Sequence, residues 1–308
     1  MLENLPMAAL ASAQPALTLL YRGTLESCNY DCHYCPFAKR IDSRARLARD
    51  AAEVARFVEW VGQQQRPISV LFTPWGEALV RRHYRAAIHT LSQMAHVSQV
   101  ALQTNISGPL AWLQDAHKDK VGLWCTYHPD QTTLTRFIER CQRLDRLGVR
   151  YSVGVVAMHE HFDAIRALRA ALPASCHIWL NAYDRRRPGY YSPDDLQWLD
   201  AVDPWFVYSR KPVASRGKAC RAGSEVLSVD GHGELQRCHF VPERIGNLYT
   251  DSLDDMLQVK PCPRLKCDCY IGYAHRNDLP FYADFGDGVL ARIPLRVSVA
   301  ELDSPTPA

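Results

Sequence analysis

Apolar residues fall into six short runs, at 17–21, 68–73, 97–104, 121–127, 150–158 and 177–183, separated by stretches of helical period. Between the first two runs Leu47, Ala51, Val54, Val58 and Val61 recur at helical spacing. Between the fourth and fifth, Leu134, Phe137, Ile138, Cys141 and Leu144 do the same, and Gly148 is a natural helix stop. Ser192-Pro193-Asp194-Asp195 combines an N-cap serine, proline at the first helical position and acids in the first turn. Six strand–helix units predict an α/β fold on a parallel sheet. Six are too few for an eight-fold closure. The expectation is an open, TIM-like (β/α)6 partial barrel with its chemistry at the carboxyl ends of the strands.

From about residue 205 the alternation stops. Pro204, Pro212, Gly217 and Gly223 punctuate a loop-rich stretch. Two strands, 225–229 and 234–238, then flank the hairpin turn Asp230-Gly231-His232-Gly233, and a short helix is predicted over 252–257. The predicted division is a tail over 1–16, the barrel over 17–204, a cysteine-rich module over 205–275, and a segment over 276–308 packing back on the barrel.

Composition narrows the function classes. A net charge of +3 without a concentrated basic stripe argues against a nucleic-acid partner. Arg136, Arg140, Arg143 and Arg146 lie at helical spacing and read as a solvated helix face. No apolar stretch is long enough to span a membrane. Ala11-Ser12-Ala13 has the form of a signal-peptidase site, but Glu3 and Pro6 count against a secretory signal, so a cytoplasmic protein is expected. In that compartment eleven cysteines point to metal or redox chemistry rather than to disulfides. Cys125, Cys141 and Cys176 are scattered among apolar neighbours and read as core residues. The other eight form two groups.

The first group, Cys28-x3-Cys32-x2-Cys35, follows the first strand. Three thiolates hold only three irons of a [4Fe–4S] cube and leave the fourth open; a zinc site completed by His33 is the alternative. The segment from Cys28 to Cys35, with Tyr34 at the aromatic position, resembles the signature of the radical S-adenosylmethionine (SAM) superfamily. The resemblance implies that the open iron chelates SAM, that one electron from the cluster yields a 5′-deoxyadenosyl radical, and that Tyr34 packs beside the adenine. Pro74-Trp75-Gly76-Glu77 resembles the family's Gly-Gly-Glu motif, with Trp75 in place of its first glycine; Gly76 and Glu77 are implied SAM contacts, Glu77 to the ammonium. Gln103-Thr104-Asn105 resembles the Thr-Asn found after the third strand, which makes Asn105 a SAM contact. Thr126 matches a residue that meets the ribose, and Gly154 with Val156 partly matches an adenine-side pattern whose second glycine is here Met158. His128 is a candidate for action on substrate.

The second group, Cys220, Cys238 and then Cys262-x4-Cys267-x-Cys269, resembles the C-terminal modules called twitch or SPASM, with the predicted hairpin between its first two members. The resemblance implies a second, auxiliary [4Fe–4S] cluster on four of these five cysteines, with Cys220 and Cys238 included and the other two left open. Zinc on Cys220, Cys238, Cys267 and Cys269, or with His239, is the alternative. The implied activity is oxidative modification of a peptide or protein, with an electron donor such as flavodoxin or ferredoxin. Dehydrogenation of a small-molecule alcohol and a non-catalytic iron–sulfur or zinc protein are the alternatives. Arg185-Arg186-Arg187, after the sixth run, is a candidate contact for an anionic group.

Overall fold

The computed structural model describes residues 16–38, 40–183 and 187–297; Arg185 and Arg186 lie outside them. The six apolar runs form β1 (Leu17–Arg22), β2 (Ile68–Phe72), β3 (Val97–Thr104), β4 (Val121–Thr126), β5 (Arg150–Ala157) and β6 (Ile178–Ala182). They pair in parallel and in chain order. The crossovers are α1 (Arg44–Gly62), α2 (Arg82–Gln93), α3 (Leu134–Leu147) and α4 (Phe162–Ala171), and α5 (Pro193–Val202) follows β6. Gly148 ends α3 at φ 68°, and Ser192 caps α5 in a reciprocal capping box with Asp195. One expected unit differs. The link from β3 to β4 contains only two short 3₁₀ helices, Ala111–Gln114 and Lys118–Lys120. Ser107-Gly108-Pro109 interrupts that stretch, which leaves too few residues for a nucleated α-helix.

Strand side chains alternate between faces with a period of two. Leu19, Tyr21, Val70 and Phe72 point outward and pack with Val54, Phe57 and Val61 of α1. Leu20, Leu71, Ala101, Trp124 and Trp179 belong to the opposite face. Their partners come from the end of the chain: α8 (Tyr270–Tyr273), α9 (Phe281–Phe285) and the 3₁₀ turn Gly286–Ala291. Ser152 donates to the Ala291 carbonyl at 2.6 Å, and a Cβ on Gly122 would stand 2.7 Å from that of Ala291. The Arg292 guanidinium lies over the rings of Trp179 and Tyr270, 4.3 Å from each centroid. The strands are therefore apolar on both faces because helices cover one and the C-terminal segment fills the other.

Residues 205–275 are less separate from the barrel than the sequence suggests. After α6 (Phe206–Arg210) and β7 (Val213–Ala214), β8 (Val226–Asp230) lies parallel to β1, with Leu20 opposite Ser228. β9 (Glu234–Cys238) and β10 (Val241–Asn247) continue from it, so the described residues form one sheet in the order β10-β9-β8-β1-β2-β3-β4-β5-β6. This addition covers the edge that β1 would otherwise expose. The Asp230 carboxylate accepts from the amides of His232 and Glu234, which fixes the turn, and Gly233 takes φ 83°. The short helix predicted over 252–257 is α7 (Leu253–Met256), capped by Ser252 and Leu257, and β11 (Lys266–Cys267) pairs with β7.

Buried acids hold the loop that leads from β1 to Cys28. Asp50 accepts from the Leu25 amide at 3.0 Å and meets His83 at 2.7 Å. Asp42 accepts from the amides of Glu26 and Ser27 and from the Ser27 hydroxyl, all within 2.9 Å, and pairs with Arg46 at 3.0 Å. Burial pushes the Asp42 carboxyl up, but these hydrogen bonds and Arg46 outweigh it and hold the group below its usual value. A depressed carboxylate stabilises the fold above its unfolded pKa of about 3.9, and that contribution is lost as pH falls through the folded value. Asp42→Asn is expected to cost about 1–3 kcal/mol near neutrality in denaturant melts. The difference from the unsubstituted protein should shrink as the pH falls below about 4.

Candidate active site

The carboxyl ends of the six strands form the floor of a cleft of about 210 Å³. Every strand, or the residue just past it, contributes to the lining: Arg22, Thr73, Gln103 with Thr104, Thr126, Val156 and Asn181. Two positions lower on the same strands stand Leu20, Leu71, Ala101, Trp124, Gly154 and Trp179. The inward face thus changes from apolar packing to a mostly polar floor within one repeat of the pleat.

Cys28, Cys32 and Cys35 line this cleft together with Tyr34, Gly76, Glu77, Asn105, Thr126 and His128. Gly154 does not line it. It belongs one layer below, where an added Cβ would fall 2.1 Å from the Trp179 ring, so its lack of a side chain serves aromatic packing. Gly76 also has a backbone reason. A Cβ there would lie 2.1 Å from the Ser27 carbonyl oxygen, and the amides of Gly76 and Glu77 donate to the carbonyls of Leu25 and Ser27. The segment after β2 is therefore laced to the residues that immediately precede Cys28. Trp75 stacks on the Arg22 guanidinium at 4.5 Å and against Phe37 at 4.4 Å.

The Glu77 carboxylate accepts from the Leu79 amide (2.8 Å), the Thr104 hydroxyl (2.6 Å) and the Asn105 amide (2.7 Å). Burial pushes its pKa up, and these three donors oppose that without cancelling it. Glu77 thereby fastens the end of β3 to the loop after β2. Asn105 is held in turn, its Oδ1 accepting from the Ser107 amide and hydroxyl. Its Nδ2 donates to Asn29 Oδ1 at 3.2 Å and to the Cys28 sulfur at 3.8 Å.

Tyr34 reaches His128 Nδ1 at 2.9 Å, and the Cys32 sulfur is 3.3 Å from the same nitrogen. Burial lowers His128 to about 4, so the ring is neutral near pH 7. With the phenol donating, Nδ1 is the acceptor and the ring proton sits on Nε2. Asp130 bridges His33 of the cysteine loop and His161 after β5, each at 3.2 Å. Burial raises the thiols of Cys28 to about 11 and Cys32 to about 12.

In the second group, Cys220, Cys238, Cys262 and Cys267 line one small cavity, and Cys269 is not among its lining residues. A Cβ on Gly272 would lie 2.8 Å from the Cys267 sulfur, so the helix beginning at Tyr270 approaches that thiol where it carries no side chain. Among the described residues no two cysteines are joined in a disulfide. Among the described residues no three His, Cys, Asp or Glu side chains converge as they would on a single metal ion, and no helix is long and apolar enough to cross a membrane.

Pattern reading missed Arg22 and Asn181. The signal was available, because extending the period-two alternation of β1 and β6 past their last apolar residue lands on them. It also missed Ser228, and it offered His239 only as an alternative zinc ligand.

The chain has the fold of the radical SAM enzymes. It is similar to native anSMEcpe with bound AdoMet, with a TM-score of 0.53 at 13% identity over 79% of this chain and 81% of that one. A native anSMEcpe structure with AdoMet and the Kp18Cys peptide gives 0.53 at 13% identity, over 80% and 81%. SuiB from Streptococcus suis gives 0.50 at 14% identity, over 79% and 66%. At these identities the likeness is one of fold. No protein-family model matches the chain, and no curated protein matches it.

Proposed function

We propose that this protein is a radical SAM enzyme that oxidatively modifies a peptide or protein. The observation that carries the reading is the placement of three thiols, from Cys28, Cys32 and Cys35, on one loop at the cleft over the polar ends of six parallel strands. The donor set suits an iron–sulfur cluster with one open iron. Burial raises the thiols of Cys28 and Cys32, so a bound cationic cluster is what would make these two thiolates. Cys28, Cys32 and Cys35 would hold a [4Fe–4S] cluster there, and it would supply the electron for reductive cleavage of SAM to methionine and a 5′-deoxyadenosyl radical.

The remaining roles belong to this chain's own groups. Asn105 Nδ2, aimed at the Cys28 sulfur, gives that thiolate a hydrogen bond, which favours the reduced cluster. Thr126 and Asn181 offer hydrogen bonds on the cleft floor, and Tyr34 presents a ring held by His128. The apolar layer beneath, closed by α8, α9 and Gly286–Ala291, keeps water from entering from below. We assign an auxiliary [4Fe–4S] cluster to Cys220, Cys238, Cys262 and Cys267, which share one cavity. A substrate radical that passes its electron to such a cluster ends oxidised. The peptide substrate class takes support from the peptide present in the similar anSMEcpe structure.

The test is anaerobic reconstitution with iron and sulfide, followed by SAM and dithionite. The expected product is 5′-deoxyadenosine; none above background would sink the enzyme reading.

A further inference from the structure

Beside the cleft lies a second cavity of about 340 Å³, between the start of the cysteine loop and the β8–β9 hairpin. Arg22 and Trp75 line both cavities, so a molecule in the second abuts the first across these two side chains. The charges of this side chamber are unevenly answered. Glu26 pairs with Arg46 at 2.9 Å, Glu234 with Arg244 at 3.0 Å, and Asp230 accepts the two amides of its own turn. Arg22 is different. It binds the carbonyl and hydroxyl of Thr73, each at 2.9 Å, and pairs with no carboxylate among the described residues. Two further groups of the lining lack partners. Ser228 is 2% exposed, and its hydroxyl has no hydrogen-bond partner. His239 Nε2 is likewise buried and unpaired.

An unanswered buried polar atom is costly, so two of them beside a cation that meets no carboxylate are expected where a ligand completes the set. We propose that this chamber anchors the substrate through an oxyanion, a carboxylate or a phosphate, bound by Arg22, Ser228 and His239. The bound molecule then extends past Trp75, so that one of its C–H bonds lies in the cleft. The anchor rests on the radical SAM reading for its purpose, but its binding can be measured without any turnover.

Calorimetric titration of the reconstituted protein with glutarate, and separately with inorganic phosphate, tests it. One of the two is expected to bind, and which one does identifies the anion class. Arg22→Gln should weaken it about tenfold or more and Ser228→Ala about threefold, whereas Arg22→Lys should keep it within about threefold. Iron content is measured on every variant, and binding is compared only where it is unchanged. No binding of either anion, or equal affinity in Arg22→Gln, overturns the anchor. Competitive displacement of the anion by SAM also overturns it, because Arg22 would then serve the methionine carboxylate. Assaying 5′-deoxyadenosine on the same preparations separates the two readings. Anion binding without SAM cleavage removes the enzyme reading alone, and SAM cleavage without anion binding removes the anchor alone.

Discussion

Cys32→Ala is expected to reduce 5′-deoxyadenosine formation to background and to lower the iron content by about four per chain. The three thiols of the first group have no substitute within the cleft. Asn105 and His128, beside them, already contact cysteine sulfurs as hydrogen-bonding groups. Removing one of three thiols leaves a cube with two protein ligands, which does not survive purification as a SAM-binding cluster. Cys32 is 4% exposed, so truncation leaves a cavity about the size of a sulfur atom. The expected fold cost is about 1–2 kcal/mol, small beside the total for a chain of this size. Circular dichroism and a thermal melt therefore separate loss of the cluster from loss of the fold. Wild-type levels of 5′-deoxyadenosine from Cys32→Ala would refute the assignment of the triad.

Much of this site was legible in the chain because it depends on local spacing. The cysteine triad lies on one loop, and Glu77, Asn105 and Thr126 each follow or end a strand whose apolar run is plain. What could not be read is where chain segments distant in sequence meet. Gly154 matched a sequence pattern, yet Trp179 on the neighbouring strand occupies the space above it. Glu77 reads from the sequence as a ligand for an ammonium, and the structure shows it also tying β2's loop to the end of β3. The hairpin was visible from its Asp-Gly-His-Gly turn. Its parallel pairing with β1 was not, because an edge strand carries no mark of the partner that will cover it. The same pairing brings Ser228 and His239 beside Arg22, two hundred residues away in sequence, and so builds the side chamber.

The second group of cysteines shows the same limit and yields the other large expected effect. Spacing left two of Cys262, Cys267 and Cys269 to be chosen. The cavity to which we assign the auxiliary cluster is lined by Cys262 and Cys267 beside Cys220 and Cys238. Cys262 reaches it through a loop pinned at the backbone, where its amide donates to Lys218 and its carbonyl accepts from Gly217. Cys269 caps α8, its carbonyl accepting from Gly272 and Tyr273, and it is not among the residues lining that cavity. Cys262→Ala is therefore expected to lose the auxiliary cluster, with iron falling from about eight to about four per chain, and Cys269→Ala to keep about eight. SAM cleavage should survive in both, since the first triad is untouched. With a substrate present, Cys262→Ala should form 5′-deoxyadenosine without oxidised product, because the electron left on the substrate has no acceptor. Loss of iron from Cys269→Ala but not from Cys262→Ala would reverse the ligand set. One zinc in place of the second four irons would replace the cluster with a structural site on the same thiols.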